Sequence, residues 1–435
     1  MPASPLGKTL NSPRLHERIS PLRATDNVTN WFYIAADYAA LALILGGSVG
    51  FFESRAAWGL SFWWNVPVAM LAVLGVGMVQ HRFAGLVHEG AHYILFKNRL
   101  LNEWASDLLC MFPLVSTTAQ YRVMHLGHHD HVNDWERDPE LVNMGETRMM
   151  NCFPMSVRRF LHNFYVRSLW PPRLFEYLWD NFYCITLGNA RHPYENRATG
   201  PKPPMLGKFR VTSLLGLAYM GGMIAVLSVL AYRVSTTTLL LSGLACWLVG
   251  SAVCLALPEQ WYFRQCLRPV VSTKATSVVR LGFLTCLELW VGWSRANLGP
   301  QWGMYFYLLW VLPLFTSWPY IMLLRDIYQH ANADDGKLTN SRVFLVNPVL
   351  RWGMFIYGQD IHLTHHLYPT IPHYRLRRLH DVLREENAEY AEHVVEAHGV
   401  FWNRPGAPTA LECLLPSAAA PAPAAKLEEP KRRVG

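Results

Sequence analysis

The segment Tyr121 to His131 reads YRVMHLGHHDH, with His125, His128 and His129 at positions i, i+3 and i+4. On a helix these positions share one face, with Cβ atoms about 5–6 Å apart, so three imidazoles there can converge on one or two ions. Two other stretches repeat the pattern: HEGAH sets His88 and His92 at i and i+4, and HLTHH sets His362, His365 and His366 at the spacing of the first cluster. Scattered core histidines would not fall on helix-face spacing three times. The eight side chains are read as one metal centre assembled from distant parts of the chain.

The rest of the chain says where that centre sits. Of its 435 residues 51% are hydrophobic, and these gather in long runs nearly free of charge: Trp31 to Phe52, Trp58 to Gln80, Val211 to Tyr232, Thr236 to Leu257 and Trp302 to Leu324. Each approaches the roughly 20 residues that cross a hydrocarbon layer of about 30 Å as a helix. Five such runs are too many for buried helices of a soluble protein. The formal charge of +8 is carried by connections between the runs, not by an aromatic-interleaved patch. It reads as membrane topology with a cytoplasmic bias of Lys and Arg, and not as nucleic-acid binding. The eight cysteines stand singly with no CxxC, Cys184, Cys246, Cys254 and Cys286 in or beside apolar stretches. That excludes a disulfide framework and a zinc–thiolate site, and implies a reducing compartment for the water-facing part. The polar, basic first 30 residues contain no apolar core of a signal peptide.

In chain order, residues 1–28, with Pro2, Pro5, Pro13 and Pro21, are expected to be a mobile cytoplasmic arm. Two hairpins follow, Trp31 to Gln80 and Val211 to Leu257, and His88 and His92 are expected just beyond the second helix on the cytoplasmic face. Between Asn98 and Arg210 no run is long enough to span, although Trp104 to Val115 could lie in the interface or re-enter. The basic, aromatic stretch with Arg158, Arg159, Arg167, Trp170 and Arg173 suits either an anionic lipid surface or a solvated face. Asn189 to Pro204 reads as a loop. Parity then matters: if Trp302 to Leu324 crosses alone, the third cluster lands opposite the other two. Either Arg280 to Trp293 also crosses or re-enters, or one of the other runs does not; six membrane segments in three hairpins, with the fifth short or irregular, are the favoured reading. Arg375 to Val400 is expected to pack as an amphipathic lid through Leu376, Leu379, Val382 and Leu383, and residues 404–435 to be a disordered Ala/Pro-rich tail. The expected fold is an all-α polytopic membrane bundle of four to six segments, residues 29–403, with a cytoplasmic helical cap that carries the histidines and both termini on the cytoplasmic side.

Imidazole suits zinc, copper, nickel and iron, and a structural zinc site needs only about four ligands, usually including cysteine. Eight histidines exceed one ion, whereas two ions with four or five nitrogens each fit the count and leave positions open. HEGAH, HLGHH and HLTHH, in this order between membrane hairpins, resemble the three histidine boxes of the membrane fatty acid desaturase and hydroxylase superfamily, and NDWERDPEL after the second box is similar as well. The resemblance covers about residues 30–375. It implies a non-haem diiron centre that uses dioxygen to attack C–H bonds of a lipid chain, with His88, His92, His125, His128, His129, His362, His365 and His366 as ligands. It further implies His330 in RDIYQH as a ninth ligand, although Gln329 stands where the family often has an acidic residue. Activity as a fatty acid desaturase is expected; hydroxylation, carotenoid ketolation, or decarboxylation to a terminal alkene are alternatives at the same centre.

The remaining histidines have plainer readings. His131 directly follows the second box and could substitute as a ligand, but at i+6 from His125 it points away from the shared face; His81 could share the helix face of His88 or lie at the membrane boundary; His373, His380, His393 and His398 are surface or packing residues. Glu89, Asp130, Asp138, Asp326 and Asp360 are close enough in sequence to accept the second N–H of a ligand imidazole, or are ordinary solvated or capping carboxylates. Metal transport would place ligands inside the spans, and haem ligation would need paired histidines there; neither pattern is present. No cytochrome b5-like domain, flavin fingerprint or ferredoxin cysteine pattern is visible, so electrons are expected from a separate ferredoxin or cytochrome b5 type donor docking on the basic cytoplasmic face.

Overall fold

The computed structural model describes residues 10, 12–143, 152–182, 209–262, 267, 270–402 and 405–416. The expected loop Asn189 to Pro204 and most of the C-terminal tail lie outside them. The chain folds as an all-α bundle in which six helices are long and apolar enough to cross a membrane, among the described residues.

Where a mobile arm is expected, helix α1 (Pro13–Ile19) forms instead. Pro13 sits in its first turn, where no N–H is needed, and Ser12 caps it, so proline starts this helix and does not oppose it. Leu15, Ile19 and Leu22 are buried against the cap, and Arg14 and Arg18 pair with Glu386.

Helices α2 (Thr29–Ser54) and α3 (Asn65–Ala91) form the first hairpin, turning through Gly59 at a φ of 71°. At about 1.5 Å per residue α3 is about 40 Å long, beyond the roughly 30 Å hydrocarbon thickness, so its last turns project out of the lipid. Burial follows this division: Met70 and Leu71 are exposed, as lipid-facing residues are, whereas Val79 to Ala91 are buried almost without a gap. His88 therefore lies on the spanning helix itself, one turn before its end, and not beyond it as the sequence suggested. The end of α3 is held by a buried triad: Arg82 donates to Asp37 on α2 at 2.5 Å and to the Tyr357 hydroxyl at 2.7 Å, and Tyr357 donates to Asp37.

Helix α4 (Arg99–Ser106) and the π turn Asp107–Met111 bury Asn102, Glu103, Asp107 and Cys110 against α3, so the stretch expected to enter the interface packs on protein. Helix α5 (Thr118–Asp130) carries the second cluster. The basic, aromatic stretch forms a short helix at Pro171–Asn181, with Trp170, Phe175 and Trp179 exposed as interface-seeking side chains are.

Helices α6 (Phe209–Leu230), α7 (Thr236–Ala256), α8 (Thr273–Asn297) and α9 (Gln301–His330) complete the bundle. The expected irregular fifth segment is the regular 25-residue α8, and the irregularity falls in the sixth. Pro313 and Pro319 each remove a donor from α9, which carries a π turn at Tyr307–Val311 and a break at Thr316. Gln80 donates to the Trp310 carbonyl at the disturbed turn (2.9 Å), and Ser317 donates to Val73 O (2.6 Å) where Gly77 lets the helices touch. Like α3, α9 outruns the bilayer, and its last residue is His330.

The cap adds α10 (His362–Leu367), α11 (Leu376–Glu386) and α12 (Ala388–His393), with β1 (Val343–Leu345) and β2 (Glu396–His398) paired in parallel. Leu376, Leu379, Val382 and Leu383 are the buried face of α11, but Asn387 ends that helix and the expected lid finishes in β2. Ala410, Leu411 and Leu414 pack into the core beside Leu323 and Phe344, so the described part of the tail is ordered by burial.

Candidate metal centre

Two projecting helix ends and two short helices bring all nine expected histidines to one place. His88, His92, His125, His129 and His365 form one group and His128, His330, His362 and His366 a second, with ligand atoms within 4.8 Å of one another in each. The two clusters of identical spacing divide in opposite ways. His125 and His129, at i and i+4, face the first group and His128 the second; His362 and His366 face the second and His365 the first. The i+3 member crosses over each time, so α5 and α10 each serve both groups.

The spacing suits metal ions. The Nε2 atoms of His125 lie 2.9 Å from that of His92 and 3.1 Å from that of His129, His365 Nε2 is 3.1 Å from His129 Nε2, and His330 and His362 meet at 3.0 Å. Metal–nitrogen bonds of about 2.0–2.1 Å place neighbouring octahedral ligands about 2.9 Å apart and opposite ones about 4.1 Å apart. Further ring nitrogens, among them His88 Nε2 and His366 Nε2, are buried with no protein partner. These two Nε2 atoms would be costly to bury unpaired unless an ion takes their lone pairs. Burial first, and neighbouring imidazoles second, push His92, His125, His129, His362 and His366 well below the usual 6.5, and push His365 down to about 3. These rings are neutral at pH 7, the form that binds metal.

His128 behaves differently. Burial would lower it, but the Asp138 and Glu140 carboxylates outweigh that and raise it to about 9. Its Nδ1 lies 2.9 Å from Asp138 Oδ2, and Asp138 also accepts from the backbone of Asn133 and Glu140. A fully buried carboxylate held on both oxygens fixes the ring and holds one proton on Nδ1, so a metal ion at Nε2 has only the other proton to displace. Asp138→Asn is expected to weaken metal binding by about 10–100-fold, the usual cost of losing such a partner. Competition with a chelator measures it, and unchanged affinity would show that Asp138 does not orient the ligand.

Two features were not read from the sequence. Glu140, inside the quoted NDWERDPEL, lies 3.6 Å from His128 Nδ1 and 3.7 Å from His125 Nδ1. Arg122, within the second cluster's own helix, donates to both carboxylate oxygens of Glu103 and to the carbonyls of Gly90 (2.9 Å) and Ala91 (3.0 Å). It thereby ties carbonyls of the last turn of α3 to α5. A basic residue one turn before a histidine cluster was the available signal.

Other expectations resolve as packing. His131 caps α5 outside both groups. His81 faces Gly353 O at 3.3 Å, His373 lies 3.0 Å from Asn30 Oδ1, and His380 bonds Tyr390 at 2.7 Å. Asp360 pairs with Arg351 and Arg377, and Asp326 with Arg325. Glu89 is buried, accepts from His373 N at 3.0 Å and lies 3.9 Å from His88 Nδ1, whereas Asp138 bonds a grouped histidine directly.

Comparison with known proteins agrees with the geometry. The fatty acid desaturase family profile matches residues 61–265 and 262–397. The dihydrorhizobitoxine desaturase of Bradyrhizobium elkanii is 31% identical over 183 residues, which cover 40% of this chain and 46% of that protein. The match thus spans about half the length of that relative.

Proposed function

The chain belongs to the fatty acid desaturase family, within the membrane desaturase and hydroxylase superfamily, and from that premise we propose that it is a dioxygen-dependent diiron enzyme that desaturates a fatty acyl chain. The observation that carries the proposal is the division of nine histidines from four separate segments into two ligand groups. His88, His92, His125, His129 and His365 would hold one iron, and His128, His330, His362 and His366 the other. A reduced iron pair supplies the power to activate dioxygen and remove hydrogen from an unactivated C–H bond. The protein's part is placement: Asp138 keeps His128 in its ligand tautomer, Arg122 holds the second cluster against the first, and the buried cap excludes water.

Removal of two adjacent hydrogens gives the alkene, and the relative's name as a desaturase favours that outcome over hydroxylation. The bias of Lys and Arg toward the connections supports a cytoplasmic position for the cap and both termini. A separate reductant, ferredoxin or cytochrome b5 type, would dock there.

The test is turnover by iron-loaded protein in vesicles with dioxygen, a reductant and a panel of acyl substrates, followed by mass spectrometry. A product lighter by two hydrogens is expected, with the rate falling as salt screens the donor's docking. An oxygen-containing or carbon-shortened product would overturn desaturation while keeping the centre.

A further inference from the structure

A cavity of about 600 Å³ lies away from the histidines, between α6, α7 and α8. Its walls are apolar, with Met223 and Val226 from α6, Ala245 and Val249 from α7, and Leu281 and Leu284 from α8. Its volume falls in the range of about 300–1,000 Å³ usual for small-molecule sites. The rim is open sideways: Val249 is 66% exposed and Val253 45%, on helices whose outer faces meet hydrocarbon. A chain in the lipid could enter without crossing water.

One end is polar. A smaller cavity of about 80 Å³ shares Thr212, Ser213, Tyr262, Ser277 and Arg280 with the first and reaches Thr117 and Gln120 at the start of α5. The next residue, Tyr121, stacks on His125 with ring centroids 5.1 Å apart, so this mouth adjoins the helix of the second cluster. Arg280 lines both cavities from within a spanning helix, where a charge is costly and usually functional. Its Nη2 donates to Val115 O at 2.6 Å, and its Nε is buried with no partner. The Asp107 carboxylate, whose charge reaches Arg280, accepts instead from Thr118 N at 2.7 Å. The guanidinium is thus short of an anionic partner at the polar end of an apolar slot.

We propose that the two cavities bind one single-chain carboxylate amphiphile, with its head on Arg280 and its hydrocarbon between α6, α7 and α8. A guanidinium pairs a carboxylate through parallel hydrogen bonds, which neither an ester nor a cationic head can match. In taking this acid as the substrate awaiting oxidation, the inference rests on the function proposed above and adds that the acid is free, not esterified.

The experiment is equilibrium binding of radiolabelled palmitate, and of methyl palmitate, to the purified full-length protein in detergent, read without turnover. Palmitate is expected to bind at about one per chain, and Arg280→Gln to weaken it by about tenfold or more, about 1.4 kcal/mol. The methyl ester is expected to bind weakly and to be indifferent to Arg280→Gln. Arg280→Lys, which keeps the charge without the fork, gives an intermediate loss and covers failure of the glutamine variant to fold. Gly222 lines the cavity, and a Cβ there would meet nothing within 4 Å, so a side chain can start from this position into the slot, and Gly222→Phe should abolish binding. Equal binding of acid and ester unmoved by Arg280→Gln, or palmitate binding that survives Gly222→Phe, would overturn the site. Binding as expected without product from the same protein would count against the proposed function and leave the site standing.

Discussion

His365→Ala is expected to abolish turnover and to lower the iron content from about two per chain toward one. His365 is the one member of the first group drawn from the third histidine cluster. Its Nε2 lies 3.1 Å from that of His129, and its ring centroid lies 4.4 Å from His88 and 4.8 Å from His92. Alanine leaves four imidazoles around a void and removes the link by which α10 serves that ion. The loss should exceed the roughly 10–100-fold that follows from removing an outer partner of a ligand. His131→Ala is the matched control, since His131 lies one residue past α5 and outside both groups. Iron analysis and rate together decide: an alanine variant that keeps both irons and wild-type turnover would remove His365 from the centre.

Arg122→Ala is expected to cost about 3–5 kcal/mol, the range for leaving one partner of a buried ion pair uncompensated. Glu103 is buried and would keep its charge without a counterion, while the Gly90 and Ala91 carbonyls would lose donors at the end of α3. Arg122→Lys should recover only part of this, because an ammonium cannot reach two carbonyls and both carboxylate oxygens as a planar fork does. Thermal unfolding in detergent measures the loss, and iron retention should fall with it because the first cluster is no longer held against the second. A melting temperature unchanged by alanine would show that the contact does not support the centre.

Much of this site was legible because helix periodicity and bilayer thickness are strong constraints. The i, i+3, i+4 spacing in two clusters and i, i+4 in the first identified eight histidines, and the need for them to meet on one side of the lipid called for a sixth segment beyond the five clear apolar runs. The division into groups of five and four was not legible. It depends on which way α5 and α10 present their i+3 histidines, which is set by tertiary packing. The position of His88 within α3 was missed because hydrophobicity stops at the bilayer while the helix does not: residues 80–91 remain helical through burial in the cap. The proline-containing sixth segment reads as the regular one because it is apolar throughout, whereas the short apolar core and Glu288 of α8 suggest irregularity that its helix does not have. Gln329 donates to the Gln359 carbonyl at 2.8 Å and so braces the approach to the third cluster. The N-terminal arm was misread because its prolines fall at helix boundaries, Pro13 at a start and Pro21 past an end.

The claim on which the account depends is that two ions occupy the two histidine groups. Metal analysis of protein purified from iron-supplied cells tests it most directly, combined with quantitation of the chain. Two irons per chain are expected, lost together on chelation in acid as the imidazoles take up protons. A single ion per chain, or zinc or copper with no dioxygen consumed, would contradict it.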